Sequence, residues 1–118
     1  MEMVTIKASG EVGIVKGVNS YEMIKAGVGG GNFEHIALFP DLDLWCDEEF
    51  LLKDDYNPNF AATVLLTKFN QAHRLEGTIL QGDVILSGGT DNKGETLGLS
   101  METLAGLLLF LNAAEVLA

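Results

Sequence analysis

His35 and Cys46 are the two residues of this sequence whose side chains could act together in covalent catalysis. A nearby imidazole favours the thiolate form of cysteine, and the thiolate is the nucleophile. If the two segments that carry them pair as strands with Phe39 opposite Leu42, His35 lies across from Cys46 on one face. The sequence offers no third residue to orient the histidine and no oxyanion donor. We therefore expect a buried structural pair and no enzyme.

Metal ligands are the second chemistry to consider, and this sequence does not space them as metal sites require. A zinc site takes three or four ligands, and His35, Cys46 and the distant His73 do not supply them at suitable spacing. The acidic run from Asp41 to Asp55 could hold Mg²⁺ or Ca²⁺, but it lacks the glycine and the ligand order of an EF-hand. We expect no metal and no other cofactor.

That acidic run is the strongest charge feature of the chain. It places seven acidic residues against a single Lys53, and the whole chain has a formal net charge of −10. Nucleic-acid binding draws most of its free energy from lysine and arginine, so direct binding to nucleic acid is not expected. Two interpretations stay open: a solvated edge or loop, and a face that imitates the phosphates of DNA. The carboxylates of such a face are Asp41, Asp43, Asp47, Glu48, Glu49, Asp54 and Asp55.

Glycine-rich segments are a further candidate for ligand binding. The segment VGGGN, which holds Gly30 and Gly31, resembles a phosphate loop, but it precedes a predicted strand and lacks a Gly-Lys-Ser/Thr ending. One interpretation is a tight turn. The other is a nest of backbone N–H groups that binds an anion, which would let an acidic protein hold a phosphate. A helix capped by Asn59 would offer a second cluster of amides.

A small α+β fold must position these residues. The 118 residues fit one domain, residues 1–118, with 47% apolar residues and only two prolines. The patterning predicts a mixed or antiparallel sheet with two to three helices. The N-terminus lacks the basic and apolar regions of a signal peptide, and the longest apolar stretch, residues 104–111, is too short to span a bilayer. The short apolar stretch means that no membrane partner is expected. A single cysteine has no disulfide partner in the chain, which together with the missing signal peptide predicts a cytoplasmic protein.

Hydrophobic periodicity and turn residues predict the order of the elements. The predicted strands are Val4–Ala8, Val12–Val18, Asn32–Phe39, Leu42–Asp47, Thr78–Leu80, Asp83–Ser87 and Thr96–Leu99. The predicted helices are Tyr21–Ala26 with Ser20 as its cap, Phe60 to about Asn70 with Asn59 as its cap, and a last helix capped by Ser100. In the strand pairing that sets His35 across from Cys46, Ile36 and Trp45 share the other face.

The last helix carries apolar residues almost all round its circumference. Leu104, Leu107 and Leu111 form one stripe, while Leu109 and Phe110 lie elsewhere. A small domain has difficulty in burying a helix on every side, so this helix predicts a homo-oligomer. The alternative is that the sheet and the other helices cover it within one chain.

Four stretches of the sequence carry a resemblance to a known family. They are VGGGNFEHIAL, LDLWCDEEF, NPNFAATVLL and LQGDVILSGG. Together they resemble a family catalogued as domain of unknown function 3846, found largely in phages and conjugative elements. The matching positions are Gly30, Gly31, Glu34, Glu48, Asn59, Ala62, Thr63, Gly82 and Asp83. The resemblance implies a mobile-element setting in a bacterial host cytosol, and it implies no particular chemistry.

Two classes of function follow from these features. The first is a non-enzymatic binding protein that sequesters a small nucleotide signal of a bacterial immune system, with its pocket at the seam of a homo-oligomer. Aromatic side chains would stack on a base, and neighbouring polar groups would contact sugar, base edges and phosphate. The candidate ligand-binding residues are Tyr21, Lys25, Gly30, Gly31, Trp45, Tyr56, Asn57, Asn59, Phe60 and Thr63. The second class is an acidic DNA mimic that inhibits a host nuclease or restriction enzyme, or an unspecified protein-interaction module.

Overall fold

Five antiparallel strands form one sheet with the order β2-β1-β5-β4-β3, and three helices pack on it. The computed structural model describes residues 1–48, 57–69 and 77–117. The strands are β1 Glu2–Ile6, β2 Val12–Lys16, β3 Phe33–Phe39, β4 Leu42–Asp47 and β5 Val84–Ser87. The helices are α1 Ser20–Val28, α2 Phe60–Phe69 and α3 Met101–Leu117. The predicted α+β class is confirmed, and the sheet is antiparallel throughout its described pairs.

The sheet separates two hydrophobic layers of unequal size. Because successive side chains of a strand point to opposite faces, Met3 and Ile85 face α1, where Ile24 and Val28 of the helix cover them. The other face carries the larger core. Its buried residues from the strands include Val4, Ile6, Ile36, Leu38, Leu44, Cys46 and Leu86, and those from α2 and α3 include Ala62, Leu65, Leu66, Leu104, Leu107 and Leu111.

The first helix begins and ends at residues whose chemistry explains its limits. The side chain of Asn19, rather than that of Ser20, caps the helix by accepting a hydrogen bond from the amide of Glu22. The helix also continues through Gly27 to Val28, two residues beyond the predicted end at Ala26, and stops where Gly29 takes a φ of 96°. The caps predicted at Asn59 and Ser100 are confirmed, since their side-chain oxygens accept hydrogen bonds from Ala62 and Thr103 respectively.

The pairing of β3 with β4 differs by one residue from the predicted pairing. Phe39 lies opposite Leu42, as predicted, but Leu38 is an extra residue on β3, so the register shifts between Ala37 and Phe39. Beyond this bulge His35 pairs with Trp45. The prediction that His35 faces Cys46 was therefore wrong, and so was the shared face of Ile36 and Trp45.

Two of the predicted strands do not form. Residues 78–80 are not strand, although Gln81 makes an isolated bridge with Pro58. Residues 96–99 are likewise not strand, and only Thr96 bridges, to Thr90. Residues 78–80 instead bond to the start of α2, where the carbonyl of Leu80 accepts from the amide of Asn59. The segment 96–99 contacts the sheet through the hydrogen bond from the amide of Leu99 to the carbonyl of Glu2.

The last helix is covered mainly along one stripe. Leu104, Leu107 and Leu111 are buried, and Phe110 is half-buried against Phe69 with ring centroids 5.0 Å apart. Leu109 is exposed over 73% of its surface in the single chain. Within the described ranges, no helix has the length and hydropathy needed to cross a membrane.

Candidate functional site

The structure divides the predicted ligand-binding residues between the two faces of the sheet. Those on or next to the α1 side are Tyr21, Lys25, Gly30, Gly31 and Trp45. Those at the start of α2, on the opposite side, are Asn57, Asn59, Phe60 and Thr63. Tyr56 lies outside the described residues. A single pocket cannot use both groups within one chain, so each side is considered separately.

On the α1 side, four rings stand in a row along one end of the sheet. Tyr21 lies 5.8 Å from Phe33, Phe33 lies 5.7 Å from Trp45, and Trp45 lies 4.7 Å from His35, measured between ring centroids. Phe33 and Trp45 also pack on the smaller hydrophobic layer. This row therefore connects two predicted site residues, Tyr21 and Trp45, but it does so as part of the packing under α1.

Polar side chains continue that row on β4 and β5. The indole N–H of Trp45 donates to Oγ of Ser87 at 2.9 Å, and Nε2 of His35 lies 3.0 Å from Oδ1 of Asp43. Ser87 and Asp43 are both buried. Because Ser87 is closed off from solvent, the cluster lacks an accessible hydroxyl nucleophile, and its contacts serve the packing of Trp45 and His35.

The glycines after α1 terminate the helix. The amides of Gly29 and Gly30 both donate to the carbonyl of Lys25, at 3.1 and 2.7 Å, which is the usual closure of a helix C-terminus. These two amides are therefore not free for an anion. The C-terminus also carries the negative end of the helix dipole, which disfavours a phosphate there. A turn, rather than an anion nest, accounts for this segment and for the positive φ of Gly31.

On the α2 side, Asn59 and Thr63 hold the fold together. Asn59 is 1% exposed, and its amide nitrogen donates to the carbonyls of Ile6 and Gly82, both at 2.9 Å. Its side-chain oxygen caps α2. The hydroxyl of Thr63 donates to the Asn59 carbonyl and accepts from the amide of Leu80. These groups are occupied by the chain itself.

A groove lies beside them, between the β1–β2 turn and the start of α2. This hairpin groove has a volume of about 530 Å³, within the range of small-molecule sites. Its surface is mostly apolar, and Phe60 stands in it with 63% of its surface exposed. Its lining residues are Ala8, Ser9, Gly10, Glu11, Val12, Asn59, Phe60, Ala61, Val64 and Leu111.

The hairpin groove is not acidic, despite the net charge of the chain. Glu11 is the one charged residue in its described lining, and it lies 3.8 Å from the ammonium group of Lys7. A smaller groove of about 370 Å³ opens between α2 and α3, where Asp41 and Glu102 both line it. Since two carboxylates disfavour an anionic ligand, the hairpin groove is the better candidate.

Phe60 and Asn59 were predicted as ligand-binding residues, whereas the apolar residues that line the groove beside Phe60 were not predicted. Val12, Val64 and Leu111 come from three elements that are distant in the chain, and only the tertiary fold brings them together. One signal was present in the sequence. The apolar alternation of Val12 and Ile14 in an edge hairpin marks a face that one chain does not cover, and both are exposed.

The acidic run does not form one continuous anionic face among the residues described. Asp43 is buried beside His35, and Asp41 accepts a hydrogen bond from the hydroxyl of Thr103. Glu49, Asp54 and Asp55 lie outside the described residues. In residues 1–48, 57–69 and 77–117, no group of three or more His, Cys, Asp or Glu side chains could hold a metal ion.

Comparison with known proteins places the chain by family. No curated protein and no solved structure matches it. A family described as Domain of unknown function (DUF3846) matches residues 1–110, a range that includes the β1–β2 hairpin, the described lining of the groove except Leu111, and more than half of α3. The match runs well beyond the four stretches from which the resemblance was drawn. The chain therefore belongs to the DUF3846 family, whose function is not assigned.

Proposed function

We propose that this protein is a non-enzymatic binding protein that sequesters a small nucleotide-like ligand in the hairpin groove. The observation that carries the proposal is the ring of Phe60, which is 63% exposed beside an apolar groove of about 530 Å³. A large aromatic side chain left in water at the edge of a concave site is a surface on which a planar base can stack.

The groove offers both an apolar wall and hydrogen-bond donors. Val12 and Val64 are partly exposed and would contact the ring and sugar of a ligand. Amides of the first turn of a helix point out of its N-terminus, where they favour anions. The side-chain oxygen of Asn59 accepts a hydrogen bond from the amide of Ala62. No described residue accepts a hydrogen bond from the amides of Phe60 or Ala61. A phosphate of the ligand would bind these two amides.

Sequestration, rather than turnover, is the role that these features favour. The described groove lining contains neither a histidine nor a cysteine, and its one acid, Glu11, is paired with Lys7. The resemblance to proteins of phages and conjugative elements supports a signal of a bacterial immune system as the ligand. A small protein that holds such a signal intact would lower its free concentration in the host cytosol.

Calorimetric titration with linear and cyclic nucleotides tests the proposal, using Phe60→Ala and, as a matched control, Tyr21→Ala. Tyr21 is also an exposed aromatic residue, at 56%, but it lies on the opposite side of the sheet. Loss of one stacked base costs about 1–3 kcal/mol, so Phe60→Ala should weaken binding roughly 5- to 150-fold, while Tyr21→Ala should leave it unchanged.

The ligand should also be recovered intact after heating the complex. Recovery of a product would show an enzyme and overturn the proposal. Binding that depends on Tyr21 and not on Phe60 would overturn the placement of the site, and failure of every nucleotide to bind would overturn the ligand class.

A further inference from the structure

The hydrogen-bond pattern of the β1–β2 hairpin fixes which backbone groups of β2 point away from the sheet. At one end Met1 and Gly17 exchange two hydrogen bonds, and at the other the amide of Lys7 donates to the carbonyl of Glu11. Opposed residues of an antiparallel pair alternate between hydrogen-bonded and non-hydrogen-bonded. Val4 and Ile14 therefore form a non-hydrogen-bonded pair, and the N–H and C=O groups of Ile14 point away from β1.

Val12 and Lys16, which pair with Ile6 and Glu2, follow the same alternation, so their N–H and C=O groups also point outwards. β2 is the edge strand of the sheet, and no described strand pairs with its outer side. Natural edges are commonly blocked by proline, by a bulge or by charged side chains, especially lysine. β2 has no proline and no bulge, and its one charged residue, Lys16, is the last residue of the strand. The side chains of Val12 and Ile14 are 37% and 48% exposed.

We propose that β2 of one copy pairs antiparallel with β2 of a second copy about a two-fold axis at Ile14, giving a continuous ten-stranded sheet. In this register all five residues of each β2 are paired, with Val12 opposite Lys16 of the partner subunit. Centring the pair on Lys16 would set two ammonium groups against each other. Centring it on Val12 would leave Lys16 of each copy unpaired. The register at Ile14 avoids both.

The dimer brings one residue of the partner subunit to the hairpin groove. A role for that residue in ligand binding rests on the proposed function. Val12 lines the groove, and directly opposed residues of paired strands point to the same face. Lys16 of the partner subunit would thus stand beside the groove wall. Within one chain the Lys16 side chain is 76% exposed and contacts Glu2 at 3.5 Å, so it is free to turn towards a ligand. A phosphate would gain a cation, which the described lining of the groove in a single copy does not contain.

Sedimentation velocity on the full chain tests the dimer, with Ile14→Lys and Val18→Lys as a matched pair. Both variants add one lysine to an exposed apolar position, but only Ile14 lies on the proposed axis, and Val18 follows the strand. We expect the wild type and Val18→Lys to sediment as dimers and Ile14→Lys as a folded monomer with unchanged circular dichroism. A monomeric wild type, or a dimeric Ile14→Lys, would overturn the proposal.

Disulfide formation tests the register independently of stability. The Cα atoms of a hydrogen-bonded pair lie about 5.5 Å apart, within the separation of about 4.4–6.8 Å that a disulfide accepts. Ile14→Cys should therefore form a covalent dimer on mild oxidation. Val18→Cys should not, because the two Val18 residues lie at opposite ends of the paired strands. Cys46, the natural cysteine, is buried and will not compete. Cross-linking of Val18→Cys but not Ile14→Cys would refute this register.

The two proposals fail separately. A wild-type dimer that binds no nucleotide would overturn the proposed function but not the dimer. A wild-type monomer that binds a nucleotide through Phe60 would overturn the dimer but not the proposed function. For the added cation, Lys16→Gln should weaken nucleotide binding without altering sedimentation. Unchanged affinity in that variant would remove Lys16 from the site.

Discussion

Nε2 of His35 lies 3.0 Å from Oδ1 of Asp43 on the neighbouring strand, and the carboxylate of this pair is 5% exposed. The imidazole, 40% exposed, is tilted against the indole of Trp45. Asp43 belongs to the most acidic stretch of the sequence, yet its charge is directed into the fold. One member of the acidic run thus has a structural role, and it cannot present a phosphate-like charge to a partner protein.

Asp43→Asn should lower the free energy of unfolding by about 1–3 kcal/mol, because it changes the buried side chain that lies 3.0 Å from the His35 imidazole. Urea denaturation followed by circular dichroism measures the change. Glu48→Gln, an exposed acid of the same run, is the matched control and should change stability by less than about 0.5 kcal/mol. A double-mutant cycle with His35→Gln should show coupling, and strict additivity would contradict this account.

Asn59→Ala should destabilise the protein by about 2–4 kcal/mol, since it removes a helix cap and leaves two buried carbonyl groups without their donor. Asn19→Ala is the control, because Asn19 caps α1 at an exposed position and makes the capping bond alone. Its cost should stay near 1 kcal/mol. Equal losses in thermal or urea unfolding would mean that the contacts of Asn59 to Ile6 and Gly82 contribute nothing.

Two helical glycines should respond to alanine with opposite signs. A Cβ at Gly106 of α3 meets nothing within 4 Å, so Gly106→Ala should stabilise the fold by about 0.5–1 kcal/mol through helix propensity. A Cβ at Gly27 of α1 would come within 2.8 Å of the Ile85 side chain, and Gly27→Ala should be destabilising. Melting temperatures of the two variants decide the matter, and a stabilised Gly27→Ala would show that α1 does not pack this closely.

Trp45 is the one tryptophan of the chain, and its fluorescence reports on the side of the sheet that α1 covers. A ligand in the hairpin groove lies on the other side, so saturating nucleotide should leave the emission maximum and the accessibility to iodide unchanged. Calorimetry on the same samples confirms that the ligand is bound. Quenching that follows the binding curve would instead place the ligand near Tyr21 and Trp45.

The elements that could be predicted from the sequence are those fixed by local chemistry. α2 begins where Asn59 follows Pro58, and β4 was predicted with the bounds that it has, because its limits depend on nearby residues. The structure of residues 78–80 was harder to predict, since an extended apolar segment becomes a strand only when another strand pairs with it. In this fold the amide of Leu80 instead donates to the hydroxyl of Thr63.

The candidate site depended on information that is not local. The bulge at Leu38 moves every earlier residue of β3 to a new partner, which separates His35 from Cys46. Likewise, the aromatic residues Tyr21 and Phe60 look equivalent in the sequence, and only the path of the chain puts them on opposite sides of the sheet. Residue type alone made Phe60 a candidate, whereas the groove around it could be seen only in the complete fold.

The opposite orientations of Trp45 and Cys46 give this protein two built-in probes of unfolding. These consecutive residues of β4 face different helical layers, the indole towards α1 and the thiol towards α2 and α3. Alkylation of the thiol in mild denaturant follows the opening of one layer, and indole emission follows the other. Coincident transitions would mean that the sheet and its three helices unfold as one cooperative unit, and an early change in emission would mean that α1 detaches first.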